Sequence, residues 1–368
     1  MSMFRHIHAS GGNAFCAAWL MLCVSLSAGC HRRPLEDPEY LTKVNVEVNI
    51  DNIQNVTCDI YNPKIQAPVI EPEMMHVIFF DKKNNVAAET FITDVSTAEN
   101  GRRVISGEFS IIPGRYKMLI YDYGTDDTLI KDYHSWDNAC AYTDRVASYI
   151  ANQYSSNGDV PEVRVEPEHL VVARNSDEHI PYHSGLYTIH AEARSVVESW
   201  YLQIKVDSLQ YVSGAQALLR GMAGSNFIAT DTRVNVPETS LWFKMVKSDD
   251  DGTPVICAVF NTFGRIGGSV NDLEVTFDLT RTDGKVFRHT FDISDLFRND
   301  NAVLHHWLLL EETIKIDPPK TSGGYDPVIG DWDDEHKEIE SKAARTSLTS
   351  PTRTSRPPTH VWPVSSLR

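Results

Sequence analysis

Lys43-Val44-Asn45-Val46-Glu47-Val48-Asn49-Ile50 carries a β-branched aliphatic residue at every second position. In an extended backbone successive side chains point to opposite faces, so the three valines and Ile50 share one face while Lys43, Asn45, Glu47 and Asn49 share the other. That is a half-buried strand, with a core on one side and water on the other. The same grammar continues downstream. Met75-His76-Val77-Ile78-Phe79-Phe80 reads as a second strand, ended by the turn-forming Asp81-Lys82-Lys83-Asn84-Asn85, with residues 86–95 as its return. Residues 104–112 run into Pro113-Gly114, where proline presets φ and glycine accepts positive φ, so 115–123 returns as another strand. Residues 132–158 read as a long polar and aromatic connection with one short helix at 143–153.

The second half repeats the style. Strands are expected at 163–173 and 186–193, and Trp200, Leu202, Ile204 and Val206 alternate with Tyr201, Gln203, Lys205 and Asp207. Residues 241–246 and 255–260 flank a turn at 248–254. Leu273, Val275, Phe277 and Leu279 pair with Phe287, His289, Phe291 and Ile293 across Thr282-Asp283-Gly284. The apolar run 302–310 fits helix or strand. An all-β chain of two domains is expected, at 30–160 and 161–317, followed at 318–368 by a tail rich in Pro, Gly, charge, Ser and Thr that reads as disordered.

The other end is equally specific. Arg5 precedes an apolar stretch at 14–26, then come Ser27-Ala28-Gly29-Cys30 and the polar His31-Arg32-Arg33-Pro34. The stretch is shorter than the ~20 residues of a membrane-spanning helix and suits a cleaved signal. Residues 1–29 are therefore expected to be a lipoprotein signal peptide, with Cys30 as the lipidated residue. Leu26 lies four positions before the cysteine, where the usual pattern has its aliphatic residue at three. The alternative is an ordinary signal that leaves Cys30 a free thiol. At ~0.8 kcal/mol per buried methylene, several acyl chains make a durable anchor.

The net charge is −16. Residues 1–29 hold one basic residue and 341–368 hold five, so 28 of the 34 basic residues and all 50 acidic ones fall in 30–340. Such a surface repels nucleic acid and anionic lipid headgroups. Cys58, Cys140 and Cys257 are too sparse for a disulfide framework or a zinc site, which leaves a single bridge, such as Cys58 to Cys140, as the pairing to consider.

Motifs of chemistry are missing. There is no nucleophile elbow, phosphate loop or His-Glu-x-x-His, and Gly264-Arg265-Ile266-Gly267-Gly268 lacks nucleotide-binding spacing. His179 and His183 would share a helix face but for Pro181, and His305-His306 would point to opposite faces of a strand. Asp249-Asp250-Asp251-Gly252 lacks the ligand spacing of an EF-hand and reads as a solvated turn. No enzyme, cofactor or metal is expected. Trp200, Trp242 and Trp307 read as core. Trp136, in the loop Tyr133-His134-Ser135-Trp136-Asp137-Asn138, is the candidate for an exposed glycan platform.

Three stretches carry a family resemblance: Cys30-His31-Arg32-Arg33-Pro34-Leu35-Glu36-Asp37, Ile112-Pro113-Gly114-Arg115-Tyr116, and Tyr211-Val212-Ser213-Gly214-Ala215-Gln216-Ala217-Leu218-Leu219-Arg220-Gly221-Met222. The chain resembles Bacteroidales lipoproteins of an uncharacterised domain family, similar to fimbrillin and FimB-type fimbrial anchor proteins. The resemblance implies two tandem transthyretin-like β-sandwich domains, export to the outer membrane, and a role as anchor or accessory subunit of a surface filament. In such filaments subunits join by strand addition, an extended segment of one chain pairing with a sheet of the next. The rival expectation is a glycan-binding outer-membrane lipoprotein, whose mark would be a cluster of exposed aromatic side chains.

Overall fold

The computed structural model describes residues 40–50, 58–66, 68, 70–97, 101–155, 162–236, 238–266 and 273–319. Met1–Pro318 form one compact unit and Pro319–Arg368 a second. The signal segment, Cys30 and the tail beyond 319 lie outside the described residues.

The strands of the first half are β1 (Thr42–Asn49), β2 (Met75–Phe80), β3 (Val86–Ile92), β4 (Asp94–Thr97), β5 (Arg103–Ile111), β6 (Gly114–Asp122), β7 (Thr128–Lys131) and β8 (Cys140–Thr143). A short helix α1 (Ser148–Ala151) precedes β9 (Glu162–Val165), β10 (Val171–Ile180), β11 (Leu186–Glu192), β12 (Arg194–Ser195), β13 (Glu198–Asp207) and β14 (Val212–Arg220). Then follow β15 (Ser225–Phe227), β16 (Thr232–Val234), β17 (Thr239–Asp250), β18 (Thr253–Thr262), β19 (Glu274–Arg281), β20 (Val286–Asp292), the helix α2 (Asp300–His305) and β21 (Trp307–Lys315).

Two sheets, in the orders β11-β1-β5-β4 and β12-β10-β6-β2-β3, share one core. The period of two in β1 is realised as written. Val44, Val46 and Val48 are fully buried against Met75, Val77 and Phe79 of β2 and Met118 and Ile120 of β6. The strand runs antiparallel to β5 and parallel to β11, so it is held inside its own sandwich. Both flanks are closed by chain that changes sheet: only Thr93 separates β3 from β4, and only Ala193 separates β11 from β12. Where β3 ends against β5 the backbones nearly touch. A Cβ on Gly107 would stand 2.6 Å from Cγ2 of Ile92, so no larger residue fits.

β10, β11 and β12 pair with strands of the first half while β9 pairs with β17 of the large sheet, so strand pairing crosses 160/161. Without β11, β1 would be an edge strand, and without β10 so would β6.

β2 departs from alternation because all six of its residues are buried. Met75, Val77 and Phe79 face the sandwich core, while Ile78 and Phe80 face a second core built with Trp136, Ala139, Ala141, Ala223, Ile228 and Phe263. That third layer contains the small sheet β16-β15-β8-β7, which mixes residues of both chain halves.

The remaining large sheet follows the order β20-β19-β14-β17-β18-β13-β21, with β9 beside β17. β17 makes it fold over on itself. Ser240–Met245 pairs with β14 and Val246–Asp250 with β18, so the two flanks face each other across one core that includes Trp200, Phe243, Phe260 and Phe277. The β19–β20 register matches the sequence expectation, with Phe277 opposite His289 and Leu279 opposite Phe287. The run 302–310 is both helix and strand: α2 ends at His306, whose φ of 59° turns the chain into β21. The expected strand 163–173 is split into β9 and β10, and β8 appears where only loop and helix were read.

Phe79→Ala should cost about 3–5 kcal/mol, the range for emptying a buried aromatic site, since Phe79 is fully buried between Phe109 and Tyr116. Phe91→Ala, at a position 49% exposed, should cost about 1 kcal/mol. Urea denaturation midpoints measure both.

Candidate functional site

The histidines do not converge. His183 Nδ1 accepts the Gly185 amide at 3.1 Å, His190 Nδ1 stands 3.1 Å from Glu47 Oε2, and His305 Nδ1 stands 2.7 Å from Asp59 Oδ2. Among the described residues no three His, Cys, Asp or Glu side chains are arranged to hold a metal ion. Asp251 and Gly252 form a two-residue hairpin turn, both with positive φ. Asp250 accepts hydrogen bonds from Tyr61 and Gln203, fastening the segment 58–66 to the large sheet. Cys58, Cys140 and Cys257 are free and buried. Cys58 packs in one cluster with Tyr201 and Cys257 rather than with Cys140, so the Cys58–Cys140 bridge is corrected, and burial pushes its thiol up to about 11.

A serine–histidine pair at the junction of the two halves resembles a nucleophile and its base. Ser199 Oγ donates to Asn261 Oδ1 at 2.8 Å and lies 3.2 Å from His169 Nε2. With its only proton on Asn261, Ser199 accepts from Nε2–H, so this imidazole holds its proton instead of taking one. Ser199 is fully buried, and burial lowers the His169 pKa to about 4. The pair is structural. Beside it, Glu166 accepts the Asn261 amide at 2.9 Å, yet burial outweighs that bond and raises its pKa to about 7. Asp122 rises to about 6, chiefly through burial and also through the nearby Glu168.

Trp136 is 6% exposed, edge-on to Phe80 at 5.8 Å, with the Lys117 ammonium over its ring. The exposed platform expected there does not exist, because Trp136 is the plug that buries the outer face of β2. The aromatic surface lies one row along. Phe91 on β3, His76 on β2 and Tyr121 on β6 are cross-strand partners, and of the loop 133–138 Tyr133 reaches this row, its ring edge-on to His76, while Trp136 packs on Phe80. His76 stacks on Phe91 at 4.4 Å and 15°, with the rings of Tyr121, Tyr123 and Tyr133 turned edge-on around it. Phe91 is 49% and Tyr123 50% exposed, their centroids 4.9 Å apart at 64°.

His76 is 4% exposed and its Nδ1 meets the Tyr121 hydroxyl at 2.8 Å. Its Nε2 is 3.4 Å from Glu89 Oε2, within ion-pair range without hydrogen-bond geometry, and His134 Nε2 is 3.6 Å from the same oxygen. Burial lowers the His76 pKa, and Glu89 only partly offsets it. A neutral imidazole thus backs the Phe91 ring. Sequence reading reached the right loop, 133–138, but not Phe91 or Tyr123, since only the strand register brings them to Tyr133.

Residues 64–242 match the model of a family described as a domain of unknown function, DUF5119. The chain is 22% identical over 247 residues to Fim4B of Bacteroides ovatus, which bears the provisional name of a fimbrium anchoring subunit; the match covers 67% of this chain and 64% of that protein. The chain thus spans less than two thirds of the curated relative. Its fold resembles the crystal structure of a provisionally named adhesin from Bacteroides ovatus ATCC 8483, with TM-score 0.56, 19% identity, and coverage of 80% of this chain and 98% of that one. A more remote likeness, to the fimbrial anchor protein Mfa2 of Porphyromonas gingivalis, has TM-score 0.41, 16% identity and coverage of 73% and 88%.

The junction predicts a pH response. Glu166 has a folded pKa of about 7, above the unfolded value, so its contribution is fully present below ~4.3 and lost as pH rises through 7. His169, depressed to about 4, acts oppositely: its contribution is present above ~6.5 and lost as pH falls through 4. Glu166→Gln should therefore stabilise the protein at pH 8 by on the order of 1–2 kcal/mol, with the gain vanishing by about pH 4.5. Denaturant titrations across that range measure it.

Proposed function

We propose that the protein is a non-enzymatic, lipid-anchored protein of the outer-membrane surface, acting as anchor or accessory subunit of a fimbria-like filament. The observation that carries this reading is the likeness to Fim4B, which runs through both halves of the chain. The sequence Ser27-Ala28-Gly29-Cys30 supplies the tether. Arg32-Arg33 suits a trypsin-like protease, but a cut there would separate the fold from its lipid, so the subunit is retained uncut.

The partners are the outer membrane, through the lipid on Cys30, and filament subunits, through strand addition. β1 is already flanked by β5 and β11, so it stays in its own sandwich. The large sheet ends at β20 on one side and β21 on the other, each with one edge unpaired among the described residues. An incoming strand gains a ladder of main-chain hydrogen bonds there.

Cys30→Ala should incorporate no labelled palmitate and leave the membrane fraction. Affinity isolation of the tagged wild-type protein from gently solubilised outer membrane should recover filament subunits by mass spectrometry. Palmitate labelling that survives the substitution overturns the tether, and recovery of glycan transporters without filament subunits overturns the filament role.

A further inference from the structure

We propose that the corner formed by Phe91, Tyr123 and Tyr133 binds a neutral pyranose unit of a glycan. This goes beyond the anchor reading and does not rest on it.

The geometry begins with Phe91. One face of its ring is covered by His76 at 4.4 Å and 15°, and the residue is 49% exposed, so a sugar must reach the ring from the side away from His76. Tyr123 stands against it at 64° as a side wall. The patch is stiff, because Phe91 and Tyr121 are held on either side of His76 by strand pairing and His76 is almost wholly buried. A binding surface that is already ordered loses little entropy when it is occupied.

The rim supplies polarity. Glu89 is 46% exposed and His134 60%, with 3.6 Å between Nε2 and Oε2, and the phenols of Tyr123 and Tyr133 add hydroxyls that donate or accept. A pyranose has the complementary form: an apolar face of C–H bonds that stacks on an aromatic ring, and a rim of hydroxyls that pairs with carboxylate, imidazole and phenol.

Other occupants fit less well. A cationic side chain would seek Glu89, but both His76 and His134 already face that carboxylate and the cage around His76 is filled. An acidic sugar would meet Glu89 and a chain of net charge −16. A neutral sugar remains.

The test is affinity gel electrophoresis of the mature protein in mannan, laminarin, dextran and, as acidic controls, alginate and polygalacturonate. At least one neutral polysaccharide should retard it. Phe91→Ala and Tyr123→Ala should weaken that retardation about tenfold or more, Phe91→Trp should preserve it, and a single cooperative unfolding transition in each alanine variant, well above the assay temperature, shows that they remain folded. Retardation by no neutral polysaccharide, equal binding by Phe91→Ala, or preference for the acidic polymers overturns the proposal. Loss of filament-subunit capture by Phe91→Ala without any polysaccharide binding also overturns it and makes the corner a protein-docking face. Failure of the filament role leaves the retardation assay unaffected, so the two readings fail separately.

Discussion

Everything in the first half is arranged around a strand that has no polar face. Each of the six residues of β2 is buried, so its sheet must be covered twice. One cover is the β1 sheet, whose alternating valines supply an apolar surface. The other is made from loop 132–139, the small sheet and residues contributed by the second half of the chain. At roughly 25 cal/mol per Å² of apolar surface removed from water, leaving either face bare would cost more than a domain's usual net stability. The two halves are therefore bound by a shared core, and Met1–Pro318 is one unit.

The same constraint creates the candidate site. A cover laid over a sheet face has an end, and here it ends within the row of Phe91, His76 and Tyr121: Tyr121 and His76 are buried, while Phe91 lies half in water. In the row of Phe80, Trp136 seals the face. In the row of Phe91, His76 is sealed by the buried Tyr121 and by Phe91 and Tyr123, which are themselves half in water. The exposed corner is thus the boundary of a buried layer, which gives it rigidity without a pocket.

The parts of this fold legible in the sequence were those set by local period. β1, β13, β17, β18 and the β19–β20 hairpin follow from alternation and turn residues, and the β17–β18 and β19–β20 pairs join strands close in sequence. What local period cannot express is long-range pairing. β11 lies parallel to β1, more than a hundred residues away, and no window of sequence contains both. β2 lacks alternation for the physical reason that both its faces are dry. Trp136 was read as exposed because a polar loop surrounds it, although a large ring in a polar loop is as well suited to plugging a sheet as to binding a sugar. The aromatic corner was invisible for the same reason as β11: it comes from register across three strands, and no single window of sequence contains it.

The junction behind that corner follows a different logic, in which burial is tolerated because it is balanced. Glu166 and His169 are close in sequence and each is shifted toward its neutral form by burial, the carboxyl upward and the imidazole downward. Near neutral pH His169 is uncharged and Glu166 is only partly ionised, so the interface carries little unpaired charge while Asn261 and Ser199 hydrogen-bond to Glu166 and His169 Nε2, and His169 Nδ1 is left without a partner among the described residues. Acidification relieves Glu166 while penalising His169, and the two responses oppose each other between about pH 4 and 7.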